Sequence, residues 1–144
     1  MKKKNGFTLV ELLAVIVILA IILVIAVPQI MDTINSARKA SLESSVKMVA
    51  AQAENQYTVA QTLGNVGTGE GQFNTSGNCL TAKWAGLNTT DYASCTYTID
   101  IATGEARVEI KGKSGGKFDN YTAHGCFGSR TEVSCYDNNT MIPI

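Results

Sequence analysis

Residues 12–27 run for sixteen positions without one polar side chain. Phe7, Leu9 and Val10 lengthen the run, so that 19 of the 21 residues from 7 to 27 are hydrophobic. A helix needs roughly 20 such residues to cross a hydrocarbon layer of about 30 Å, and this segment meets that length. A helix apolar on every side suits lipid or the inside of an assembly, not a water interface. The 45% hydrophobic fraction of the whole chain therefore misleads. The other 123 residues hold 46 hydrophobic ones, or 37%. The chain reads as an apolar rod joined to a lean, polar remainder.

Only Thr8 and Glu11 interrupt the apolar window. Ahead of it stand Lys2, Lys3 and Lys4, then Asn5 and Gly6. Basic residues beside a span stay on the cytoplasmic side, which sends the remainder outward. A cleaved secretory signal has a shorter apolar core, about 7–15 residues, and ends at an A-x-A-like site. Here the run is longer and passes into Ala26-Val27-Pro28-Gln29 with no such site. A plain membrane anchor explains length and orientation but leaves Glu11 unexplained. A carboxylate inside a span costs roughly 2.5–3.5 kcal/mol at the bilayer centre, less near its edge, and calls for a partner. A carboxylate at a helix start also gains about 0.3–1 kcal/mol from the helix dipole, but that gain does not account for the basic leader.

The segment Lys4-Asn5-Gly6-Phe7-Thr8-Leu9-Val10-Glu11-Leu12-Leu13 resembles the N-terminal signal of type IV pilins and of secretion and competence pseudopilins. That pattern is a short basic leader, a Gly, an aromatic residue or Met, three more residues, a Glu and about 16 apolar positions. The resemblance is strict over about 30 residues and looser to about residue 60. It implies that a prepilin peptidase/N-methyltransferase cuts after Gly6. Gly admits an extended backbone into a peptidase site without a side-chain clash. Phe7 then becomes the N-methylated first residue. Glu11 pairs with the α-amino group of a neighbouring subunit in a homo-oligomeric filament. A buried carboxylate and ammonium neutralise each other, and deleting one of such a pair costs about 3–5 kcal/mol. The resemblance also implies membrane lipid around the subunit before assembly, an inner-membrane assembly platform and a cytoplasmic ATPase. The precursor is then an inner-membrane protein, and the product is a surface filament or an envelope-spanning pseudopilus. A pilus subunit is the favoured reading, and a pseudopilin of secretion or DNA uptake is the alternative.

Pro28 stands where many members of that family also carry a proline, and it is expected to kink or loosen the helix. Helical spacing resumes beyond it through Ile30, Ile34, Ala37, Leu42, Val46, Val49, Ala53 and Ala60. One helix over 7–61 is predicted, roughly 80 Å at 1.5 Å per residue, with Gly64 as its C-terminal cap. The division is a leader (1–6), a membrane and assembly helix (7–27), its amphipathic continuation (28–61) and a headpiece (62–144). In the headpiece, 65–78 reads as a Gly/Thr/Asn-rich loop. Tyr97, Ile99 and Ile101 alternate with polar residues, as do Ala106, Val108 and Ile110 after a Gly-containing turn. That is a hairpin. Residues 117–123 and 131–136 are weaker strand candidates. The predicted class is α+β, a long N-terminal helix on a small antiparallel sheet.

Cys79, Cys95, Cys126 and Cys135 all lie in the headpiece and form no C-x-x-C pair. An oxidising exterior favours two disulfides, and four cysteines allow three connectivities. The sequentially nearest pairs, Cys79–Cys95 and Cys126–Cys135, are preferred. The second is similar to the C-terminal disulfide loop of many type IV pilins. No catalytic group, cofactor or metal site is expected. The lone His124 has no nucleophile beside it. Asp137-Asn138-Asn139 makes an ordinary turn as readily as a calcium loop. Lys111, Lys113 and Lys117 give only slender support for DNA as a partner. Four N-x-S/T sequons, at Asn74, Asn88, Asn120 and Asn138, are read as composition.

Overall fold

The computed structural model describes residues 5–140; the leader lysines Lys2, Lys3 and Lys4 lie outside the described residues. One helix, α1 (Leu9–Thr62), runs for 54 residues, with Pro28 inside it. It starts two residues later than expected and ends one residue later. Its end is a complete Schellman cap: Gly64 sits at φ 66°, Gly64 N–H donates to the Gln61 carbonyl, and Asn65 N–H to the Ala60 carbonyl.

Five strands follow among the described residues: β1 (Ser76–Asn78), β2 (Tyr92–Ile99), β3 (Ala106–Gly112), β4 (Gly125–Gly128) and β5 (Val133–Tyr136). They form one antiparallel sheet in chain order, each strand bonded to the next. The architecture is α+β, with α1 packed on the sheet. The hairpin lies at β2–β3, in the register Tyr97↔Val108 and Ile99↔Ala106. Ile101 falls in the turn, 71% exposed, because the strand has already ended. There, Asp100 Oδ1 accepts the Ala102 N–H and Gly104 adopts φ 74°.

The chain divides into two compact units, one ending at Ala37 and one beginning at Arg38. In the second unit, α1 buries Leu42, Val46, Val49, Ala50, Ala53, Tyr57 and Ala60. These meet Cys95, Tyr97, Ile99, Val108 and Ile110 of the sheet in one core. The expected stripe thus begins at Leu42. Ile30, Ile34 and Ala37 are exposed.

Two further expectations are corrected. Residues 117–123 form no strand; they make a short 3₁₀ turn at Asp119–Tyr121. That turn carries Phe118 into the core, 1% exposed, and side-chain burial there replaces ladder bonding. The expected loop 65–78 ends in β1, whose Gly77 faces Tyr97 across the ladder.

Candidate processing and assembly site

Asn5, Gly6, Phe7 and Thr8 are non-helical and exposed. A side chain at Gly6 would meet nothing within 4 Å, and Phe7 is 93% exposed. Thr8 and Glu11 are brought together. Thr8 N–H donates to Glu11 Oε2 at 2.9 Å, and Glu11 N–H donates to Thr8 Oγ1 at 3.3 Å. This reciprocal pair is a capping box, with Thr8 as N-cap and Glu11 three positions on. The first helical bond runs from Leu12 N–H to the Thr8 carbonyl at 3.2 Å. The T-x-x-E spacing that signals such a box is plain in the sequence. Charge alone does not reveal it, because the cap uses Glu11 as a hydrogen-bond acceptor.

Between Leu9 and Ile34 no residue of α1 is buried, and the large apolar side chains are 38–84% exposed. The helix is long and apolar enough to cross a membrane. Pro28 lies 17 positions beyond Glu11 on the same helix. The proline has no N–H for the helical ladder. One turn later Thr33 Oγ1 donates to the Gln29 carbonyl at 3.0 Å, a helix-internal bond of a kind that often bends a helix slightly.

In the second unit, sulfur bonds join Cys79 to Cys95 and Cys126 to Cys135, with Cα separations of 5.1 and 4.1 Å. The first ties the residue after β1 to β2. The second links facing residues of β4 and β5. Glu54 reaches from α1 to β3: its Oε1 accepts the Ala106 N–H at 3.2 Å, and its Oε2 lies 3.4 Å from Arg130 Nε.

Lys111, Lys113 and Lys117 each have a partner within the headpiece unit. Lys111 faces Glu109, Lys113 donates to the Thr89 carbonyl, and Lys117 donates to Ser41 and lies over the Phe118 ring. Asn138 is spent on the 119–123 turn, accepting the Ala123 N–H at 2.8 Å and donating to the Asp119 carbonyl at 3.0 Å. Asp137 accepts bonds from Thr140 and Asn139, and the Thr140 hydroxyl is the main cause holding its carboxyl below the ordinary value. Burial raises the Tyr97 phenol, which donates to the Asn74 carbonyl. Among the described residues no group of three His, Cys, Asp or Glu side chains is placed to hold a metal.

Residues 1–27 match the family model described as the prokaryotic N-terminal methylation motif. This is the prepilin signal of type IV pilins and pseudopilins, and it marks a precursor that a prepilin peptidase processes for filament assembly. The same signal serves pilus, secretion and competence filaments. No curated protein and no solved structure gives a significant match.

Proposed function

We propose that this chain is a structural subunit of a type IV pilus, made as a membrane-anchored prepilin. The observation that carries this reading is the N-terminal methylation motif placed on a helix whose apolar half has no cover in the subunit. Peptidase cleavage after Gly6 frees the amine of Phe7, which is then methylated. The leader lysines hold the N-terminus in the cytoplasm, and the headpiece lies outside. An assembly platform driven by a cytoplasmic ATPase lifts the subunit from lipid into a helical filament. There, helices of other copies replace lipid around residues 7–27. The carboxylate of Glu11 meets a neighbour's N-terminal ammonium and fixes the axial register. The chain acts as substrate and building block, with no covalent chemistry of its own.

The two disulfides support a pilus subunit over a secretion pseudopilin, and Lys111, Lys113 and Lys117, each engaged by a partner within the chain, lend no support to DNA binding. Mass spectrometry of the mature chain tests the proposal. The expected N-terminus is a methylated Phe7, with residues 1–6 absent; recovery of an intact Met1 in cells that hold the peptidase overturns it. A retraction-ATPase gene beside this one is the expected neighbour, whereas a secretin with a cargo enzyme would favour the pseudopilin assignment.

A further inference from the structure

The bond between Gly6 and Phe7 lies in an exposed, non-helical stretch that ends one residue before α1. Two features set that boundary. Thr8 Oγ1 takes the N–H of Glu11, so this N–H is not bonded to the Phe7 carbonyl. The Glu11 carboxylate takes the Thr8 N–H, which would otherwise be free to serve a helix reaching further back. Among the described residues the helical ladder therefore opens at the Thr8 carbonyl.

The sequence also holds a competing start. Asn5 is a strong N-cap residue type and lies three positions upstream of Thr8. A helix capped there would take Gly6 and Phe7 as its first two turn positions. Hydrolysis needs an approach to the carbonyl carbon of Gly6. In a helix that carbonyl accepts the N–H four residues on and is packed against the turn. Extended peptides, by contrast, present their main chain for recognition.

We infer that Thr8 is a specificity-determining residue for the peptidase: its hydroxyl fixes the helix start at Leu9 and keeps the Gly6–Phe7 bond extended for cleavage. This rests on the processing step proposed above. In that step water adds to the Gly6 carbonyl carbon and the C–N bond breaks. Gly6 leaves as the carboxylate carrying the water's oxygen, and the Phe7 nitrogen takes both of the water's protons and becomes the ammonium. Thr8 touches none of these atoms; it is a positioning residue.

The test is the rate of leader removal from the full-length precursor in membranes that contain a prepilin peptidase, read by mass spectrometry. Thr8→Val keeps shape and loses the cap. It is expected to slow cleavage about fivefold, in line with the loss of one capping side chain. Thr8→Ser keeps the cap and is expected to be cut at the wild-type rate. Adding Asn5→Ala to Thr8→Val removes the upstream cap and is expected to restore the rate. Headpiece folding is followed separately, by the two disulfides on non-reducing gels. If Thr8→Val is cut as fast as wild type, the inference is overturned. If Thr8→Val is slow and Asn5→Ala does not rescue it, the register mechanism is overturned. A wild-type precursor that is not cut after Gly6 overturns the processing step itself.

Discussion

Glu11 has two separable roles. In the subunit its carboxylate accepts the Thr8 N–H at 2.9 Å. That role needs only an acceptor oxygen, which a glutamine also supplies. In the proposed filament it neutralises an ammonium in an apolar surrounding, and that role needs the charge. Removing one member of such a pair costs about 3–5 kcal/mol, on the order of a hundredfold or more in subunit association. Glu11→Gln should therefore keep the helix start and lose the pairing. Both Glu11→Ala and Glu11→Gln are expected to be cleaved after Gly6, because Thr8 Oγ1 still caps, and to be missing from sheared filaments. Immunoblots of membrane and filament fractions decide this. Filament yield at the wild-type level from Glu11→Gln would remove the charge from the mechanism. Several glycines also act through contacts that one sequence does not display. A Cβ on Gly112 would sit 2.0 Å from the Phe118 carbonyl, and one on Gly125 2.2 Å from the Ile110 carbonyl. They read as loop markers, yet they stand in strands because another backbone runs against them.

The single helix divides by what covers it. Leu42 is fully buried against the sheet and Ile34 is 38% exposed, though both fit one helical spacing. Leu42→Ala is expected to lower the unfolding free energy by about 2–5 kcal/mol, the transfer and cavity cost of a core leucine. Ile34→Ala should change it by less than about 0.5 kcal/mol. Denaturant titration of the two variants in one detergent separates them, and equal losses would contradict the division at Leu42. This contrast shows where the sequence stops being legible. Periodicity marks an apolar face, and α1 and the β2–β3 hairpin follow from it nearly to the residue. Periodicity does not say how far the sheet reaches along that face, which depends on pairing between distant strands. For the same reason β4 has no periodic signal in the sequence. Gly125, Cys126, Phe127 and Gly128 carry no alternation; their strand comes from pairing with β3 and β5 and from the Cys126–Cys135 bond. The assembly motif was the most legible part, since it is local and its spacing is fixed by one helix turn. Its capping geometry was equally local.

At the scale of the molecule, the two units have opposite needs. The unit from Arg38 onward contains every buried apolar side chain among the described residues, from Leu42 to Cys126, together with both disulfides. Among its described residues, the unit ending at Ala37 contributes no buried side chain and exposes a near-continuous apolar surface. Such a surface exceeds what a soluble monomer leaves uncovered, and it is satisfied only by lipid, detergent or other copies. Removing residues 1–37 therefore takes away the cause of association and leaves the core intact. The remaining α1 still holds the whole buried stripe from Leu42 to Ala60. The truncated chain is expected to be monomeric without detergent and to form the Cys79–Cys95 and Cys126–Cys135 bonds. In a common detergent its unfolding free energy should match that of the full chain to within about 0.5 kcal/mol, the scale of changes that disturb no packed feature. The full chain should aggregate when the detergent is withdrawn. Sedimentation, peptide mapping under non-reducing conditions and denaturant titration make the comparison. A truncated chain that aggregates or scrambles its disulfides would show that the headpiece draws stability from the apolar segment. The separation of an autonomous fold from an assembly helix would then fail.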